Sequence, residues 1–263
     1  ERVSSLVPTS MVKHGAAIHS VRAVPREHLG EVARFARDGL GGAAAGPAPL
    51  HLHLSEQPGE NIACEYFYGM TPTALLDAEG VLGPDVTAVH ATHVTHEDMA
   101  LLGARETAVC LCPTTERDLA DGIGPFRALD DAGAVLCIGS DQHAVVDPFV
   151  EVRSVEMHER LNSLERGRFS LGALDDIGTV NGYRSLGWDD GGVLQEGALA
   201  DFIAIRLDGT HAAGADPAQV LFVAGAQDVS DVVIGGEHVV SGGEHRLGAV
   251  GAMLVAAIGQ VSP

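Results

Sequence analysis

Aromatic side chains are scarce in this 263-residue sequence, which has seven Phe, three Tyr and one Trp. Basic residues are also few: 16 Lys and Arg stand against 36 Asp and Glu, for a formal net charge of −20. Nucleic-acid backbones and anionic membrane surfaces demand a positive footprint, so the charge balance argues against both as partners. The four cysteines (Cys64, Cys110, Cys112 and Cys137) show no CxxC spacing. Cys110, Cys112 and Cys137 lie in apolar, strand-like runs, which predicts buried thiols rather than a disulfide framework and a cytoplasmic, reducing location. No apolar run reaches the ~18 residues that a membrane span needs. The opening ERVSSLVPTSMVKHG lacks the basic-then-apolar layout of a signal peptide. It also lacks an initial methionine, which marks residue 1 as a processed end or a cut inside a longer protein.

What is present is a globular composition, 46% apolar with abundant glycine. Apolar runs of strand length recur at 16–24, 48–56, 86–94, 107–115 and 134–142, with helical stretches between them. Those stretches include an amphipathic 26–40, a helix through 71–82, and 95–106, where Thr95 and Asp98 read as a capping box. Continuous apolar strands alternating with helices imply parallel pairing. The fold class is α/β, five βα units of an open sheet or of part of a (β/α)8 barrel, over residues 1–190. From 191 to 263 the pattern changes to glycine-punctuated β segments, which predict a small β subdomain with a terminal helix.

Polar residues gather where each strand ends. His19 and Arg22 end the first, His53 and Glu56 the second, and His90 the third. Thr114, Thr115 and Glu116 end the fourth, and Asp141 and His143 the fifth. In parallel α/β folds these ends converge on one rim, where sites form. Imidazoles and a carboxylate suit a catalytic zinc that keeps one position open for water. Hydrolysis at a trigonal carbon then needs a base for the water's proton, a role for Asp141, and an acid for the departing nitrogen, a role for Glu56. His90 is placed to hold or polarise the group under attack. His51 alternates with His53 along its strand and reads as structural.

The segments HLHLSEQ, AVHATHVTHEDM, CLCPTTERDLADGIGPF and CIGSDQHAVV resemble the second half of amidohydrolase-superfamily enzymes, and within them the formimidoylglutamate deiminases. The resemblance implies strands four to eight of a (β/α)8 barrel and a β-sandwich built from the tail. It implies one Zn2+ ion ligated by His53 and Asp141, with Asp141 the base, Glu56 the proton shuttle and His90 against the reacting group. His19 and Arg22, in HSVRAV, would meet a glutamate carboxylate, which a guanidinium fork suits. Thr115, Glu116 and His143 would line the substrate pocket. Arg117 and Asp118 depart from the family's small or amide residues.

The superfamily's first-strand His-x-His is missing, because His51-Leu-His53 lies too close to Asp141 for six intervening units. The chain by itself is therefore expected to lack two zinc ligands and to be inactive. It is also expected to leave strand edges uncovered, to be unstable or aggregate unless these are covered, and to self-associate as a homo-oligomer. The implied substrate is a small amidine bearing carboxylates, N-formimino-L-glutamate. A purine or other cyclic-amidine deaminase and a non-catalytic remnant remain the alternatives.

Overall fold

Short apolar segments, each followed by a helix, build a five-stranded parallel sheet in the computed structural model, which describes residues 9, 11–41, 46–142, 145–210 and 212–261. The chain runs through β1 (Ala16–Ile18), α1 (Arg26–Arg34), β2 (Leu50–Leu54), α2 (Pro58–Tyr68), α3 (Pro72–Ala78) and β3 (Val86–His90). It continues through α4 (His96–Ala104), β4 (Ala108–Leu111), α5 (Pro113–Asp118), α6 (Phe126–Asp131) and β5 (Val135–Ile138). Three more helices follow: α7 (Pro148–Ser163), α8 (Leu171–Gly178) and α9 (Val180–Ser185). Sheet order is chain order, β1-β2-β3-β4-β5, and every pair is parallel. This is the arrangement of consecutive units in a (β/α)8 barrel, and it is part of one.

Register fixes what stands beside what. Leu54 pairs with His90, and Cys110 with Cys137. Along β2 the residues Leu50, Leu52 and Leu54 are buried while His51 and His53 are half-buried, the period-2 alternation of a strand. Each fully buried leucine contributes roughly 1.5–3 kcal/mol relative to exposure, and Leu75, Leu76, Leu111 and Leu129 join the same core.

The strands are shorter than the apolar runs suggest, three to five residues each. The chain leaves the sheet through non-glycine residues at positive φ: Ser55 (47°), His90 (74°), Ala91 (50°) and Asp141 (44°). Such conformations end a strand at once and turn its last polar side chain off the sheet. The helix expected over 71–82 stops at Ala78 because Gly80 adopts φ 67°. That expected over 26–40 passes at Phe35 into a π-helical segment ending at Gly41. At α4 the capping box is present: Thr95 accepts from Asp98 N, and Asp98 accepts from Thr95 N.

A second unit begins at Asp190. It contains β6 (Phe202–Ile205), α10 (Val220–Val223), β7 (Val229–Ile234), β8 (Glu237–Ser241), β9 (Glu244–His245) and α11 (Val250–Val261). The strands form one antiparallel sheet in the order β6-β7-β8-β9. Gly235-Gly236 and Gly242-Gly243, all at positive φ, make the two tight hairpin turns. The expected β-sandwich is thus a single sheet among the described residues.

Candidate active site

β2, β3, β4 and β5 are neighbours, so their exits bring His53, His90, Cys112 and Asp141 to one end of the sheet. His90 is the centre of the group and is 1% exposed. Its Nε2 lies 3.7 Å from Glu56 Oε1 and 3.9 Å from Asp141 Oδ2. Its Nδ1 lies 3.4 Å from Glu116 Oε1. An ionised carboxylate only accepts, so Nδ1 carries a proton toward Glu116, and Nε2 faces Glu56 and Asp141. Burial opposes the charged imidazolium. The hydrogen bond that His90 donates to Glu116 and the charges of Glu56, Glu116 and Asp141 outweigh it and raise the His90 pKa.

His53 is oriented in the same way. Its Nδ1 donates to the His19 carbonyl at 2.6 Å, which leaves Nε2 free as a donor atom. The His53 ring stacks on His90 with centroids 5.8 Å apart and meets His19 at 5.0 Å. These two nitrogens and the Asp141 carboxylate are donors of the kind zinc takes, so the residues fit a divalent metal. One side chain that was read only as a buried thiol also belongs here. A His90 ring nitrogen, the Cys112 sulfur and an Asp141 oxygen all lie within 4.8 Å of one another. Strand alternation puts Cys110 and Cys112 on one face, but nothing in the letters says that this face meets His90.

Other expectations are redrawn. Glu116 and Thr115 are 0% exposed, so neither presents a surface to a substrate. They position neighbours instead. Glu116 Oε1 accepts from Cys112 N at 2.9 Å as well as facing His90. The Thr115 hydroxyl donates to the Ser140 carbonyl and accepts from Gln142 N, which brackets Asp141. Thr114 is bonded to Glu151 through both its backbone N–H and its hydroxyl.

Arg22 is placed between two acids, 3.6 Å from Glu56 Oε2 and 4.0 Å from Glu60 Oε2. Glu60 is buried and its carboxylate oxygens have no hydrogen-bond partner; burial raises its pKa against the pull of Arg22. With Arg22, Cys64 and Phe67 it lines a cavity of about 330 Å³. His51 bonds to the Ser185 carbonyl at 2.8 Å, and His93 to the Asp121 carbonyl at 2.7 Å, both structural. His143 lies outside the described residues.

A family model described as the amidohydrolase family matches residues 8–239. A 5-methylthioadenosine/S-adenosylhomocysteine deaminase of Desulfitobacterium hafniense is 32% identical over 195 residues, 72% of this chain and 44% of that protein. A formimidoylglutamate deiminase of Pseudomonas aeruginosa is 30% identical over 242 residues, 88% of this chain and 51% of its own. Among solved structures, an adenosine deaminase from Xanthomonas campestris with bound zinc superposes with a TM-score of 0.84. It is 26% identical and covers 93% of this chain and 56% of that one. An amidohydrolase from Brucella melitensis gives a TM-score of 0.81 at 29% identity, over 94% and 55%. The chain spans about half the length of the curated relatives it matches.

Proposed function

Because the chain belongs to the amidohydrolase family, we propose that it carries the proton-handling half of a metal-dependent deaminase that replaces nitrogen by oxygen at an amidine carbon. The observation that carries this reading is the convergence of Glu56 and Asp141 on one nitrogen of a buried, tautomer-fixed His90. His53 Nε2 and Asp141 would hold the divalent metal, zinc by analogy with the zinc-bound neighbour. When bound, such an ion supplies a Lewis acid that makes water acidic enough to attack near neutral pH.

The chain's own groups do the rest. Asp141, 31% exposed at its side chain, is open to solvent and accepts the attacking water's proton. Glu56, half-buried beside His90, passes a proton to the departing nitrogen, which leaves as ammonia. His90 Nε2 faces the reacting carbon's substituents and holds the imino group in line.

For the substrate, we propose N-formimino-L-glutamate, with Arg22 and His19 at its carboxylates. The supporting relative is the Pseudomonas aeruginosa deiminase, which matches 88% of this chain. One observation favours a second reading, a purine nucleoside. Glu56 and Glu60 already face Arg22 and reduce its pull on an anion, and several matching relatives are named as nucleoside deaminases. The cysteines, free in the structure, suit a reducing cytoplasm. The described residues hold no helix long and apolar enough to cross a membrane.

Ammonia release from N-formimino-L-glutamate and from 5′-methylthioadenosine, with and without a chelator, tests both readings. Joined to a first half that supplies the missing His-x-His, the chain is expected to release ammonia that chelation abolishes and zinc restores; by itself it is expected to release none. Asp141→Asn is expected to lower kcat by about 10²-fold or more. Release from the nucleoside alone moves the assignment to the second reading. No ammonia from either substrate once joined, together with no bound metal, would make the chain a non-catalytic module.

A further inference from the structure

We propose that Arg22 and Glu60 together bind a zwitterionic α-amino-acid group, with its carboxylate on the guanidinium and its ammonium on the buried carboxylate. This rests on the reading of Arg22 as a carboxylate-binding group and adds a second residue and a second charge to it. The place is the cavity of about 330 Å³ between the exit of β1 and helix α2. Neither His53 nor Asp141 lines it.

Glu60 is the unusual member. Its side chain is 0% exposed, yet neither carboxylate oxygen has a hydrogen-bond partner among the described residues. Buried polar groups are nearly always paired, and a buried carboxylate without a donor is costly. The first turn of α2 carries it to the cavity wall. Arg22 does not supply the missing bond. Its Nε stands 4.0 Å from Glu60 Oε2 and its Nη2 3.6 Å from Glu56 Oε2, both beyond hydrogen-bond length. The Arg22 side chain is 40% exposed, so its outer N–H groups are open to a ligand.

The balance of charge selects the ligand. One guanidinium faces two carboxylates, so a bare anion on Arg22 meets Glu56 and Glu60 as well. A simple cation on Glu60 meets Arg22. A ligand with both charges answers each group with its opposite, and an α-amino acid bears them on one carbon. Burial raises the pKa of Glu60, and an arriving ammonium favours its charged form. Val21, Ala63, Phe67 and Tyr68 supply apolar and aromatic wall, which suits an uncharged side chain. Ligand pockets run from about 300 to 1,000 Å³, and this one lies at the small end, with room for an amino acid.

The test is calorimetric titration of the full chain, without metal, with up to about 10 mM L-methionine or N-acetyl-L-methionine. The acetylated probe keeps the carboxylate and loses the ammonium. We expect the unmutated chain to bind L-methionine about 10-fold or more tighter than the acetylated form, the size of one charge-assisted hydrogen bond. Glu60→Gln keeps the shape and removes the charge. It should weaken L-methionine by a similar factor and leave the acetylated form as tight or tighter. Arg22→Gln should weaken both.

Equal affinity of the unmutated chain for the two probes, or L-methionine binding that Glu60→Gln does not weaken, overturns the ammonium site and leaves Arg22 a carboxylate ligand. Binding of neither probe overturns both assignments. Neither result touches the deaminase reading, whose test is ammonia release. The two-probe comparison on the unmutated chain decides even if a variant misfolds.

Discussion

Glu116 is cut off from water, and its Oε1 takes both donors that reach it, Cys112 N and His90 Nδ1, while its Oε2 has no partner. Removing it leaves a buried backbone N–H and an imidazole without an acceptor, at about 1–3 kcal/mol. Glu116→Ala should therefore lower the urea midpoint, while Glu116→Gln, which keeps an acceptor oxygen, should recover most of the loss. Equal midpoints for the two variants would show that Glu116 orients nothing.

His158 makes a pH-dependent contribution to stability. Burial, with the nearby positive charge of Arg117, pushes its pKa down to about 4 from the ordinary 6.5, and its ring stacks on Phe126 at 6.0 Å. Above about pH 6.5 it is neutral folded or unfolded and costs nothing. As pH falls toward 4 the unfolded chain takes up a proton that the folded chain refuses, so stability drops by up to about 3 kcal/mol. Urea unfolding at about pH 7.5 and about pH 4.5 should show a larger acid loss for the natural chain than for His158→Gln. An identical acid loss would remove this role.

Elements differ in how plainly they could be read. The capping box of α4 and the glycine stops are local, because the hydrogen bonds that end a helix form within a few residues of one another. By contrast, α2 escaped the apolar-periodicity reading. It leaves Ile62, Tyr66 and Phe67 exposed, so its apolar residues mark no single buried stripe. Only Pro58 at its start and Gly69 at φ 70° past its end announce it. Packing between elements is equally invisible in the letters. Gly103 in α4 lies so close to the segment before β5 that an added Cβ would fall 1.8 Å from the Ala132 carbonyl oxygen. Gly103→Ala should force the helix off that contact and destabilise by about 1–3 kcal/mol despite alanine's better helix propensity. A stabilised variant in thermal unfolding would contradict the contact.

Across the whole molecule, the expectation of self-association rests on apolar surface with nothing over it. β1 and β5 are the outer strands of the parallel sheet, each with a partner on one side only among the described residues. In the second unit, α11 has no charged residue, and Met253, Leu254, Val255, Ile258 and Val261 are all more than half exposed. Patches of that kind associate or bind. Sedimentation of the chain at about micromolar concentration and above should give a mass larger than one copy, reduced by Leu254→Glu with Ile258→Glu. A single-copy mass throughout would rule out self-association through either surface.

The sequence alone determined the alternation of strands and helices, the parallel order and the polar strand exits, because each follows from a period or a turn residue acting over a few positions. It also carried His53, His90, Glu56 and Asp141 to one rim, since every βα unit delivers its strand end to the same side. Only the tertiary structure decided that Cys112 meets His90, that Arg22 is held between Glu56 and Glu60, and that Glu116 is sealed beneath the site. Those contacts join residues on different strands and helices. Their distances depend on register and on the positive-φ exits at His90 and Asp141, which no local pattern encodes.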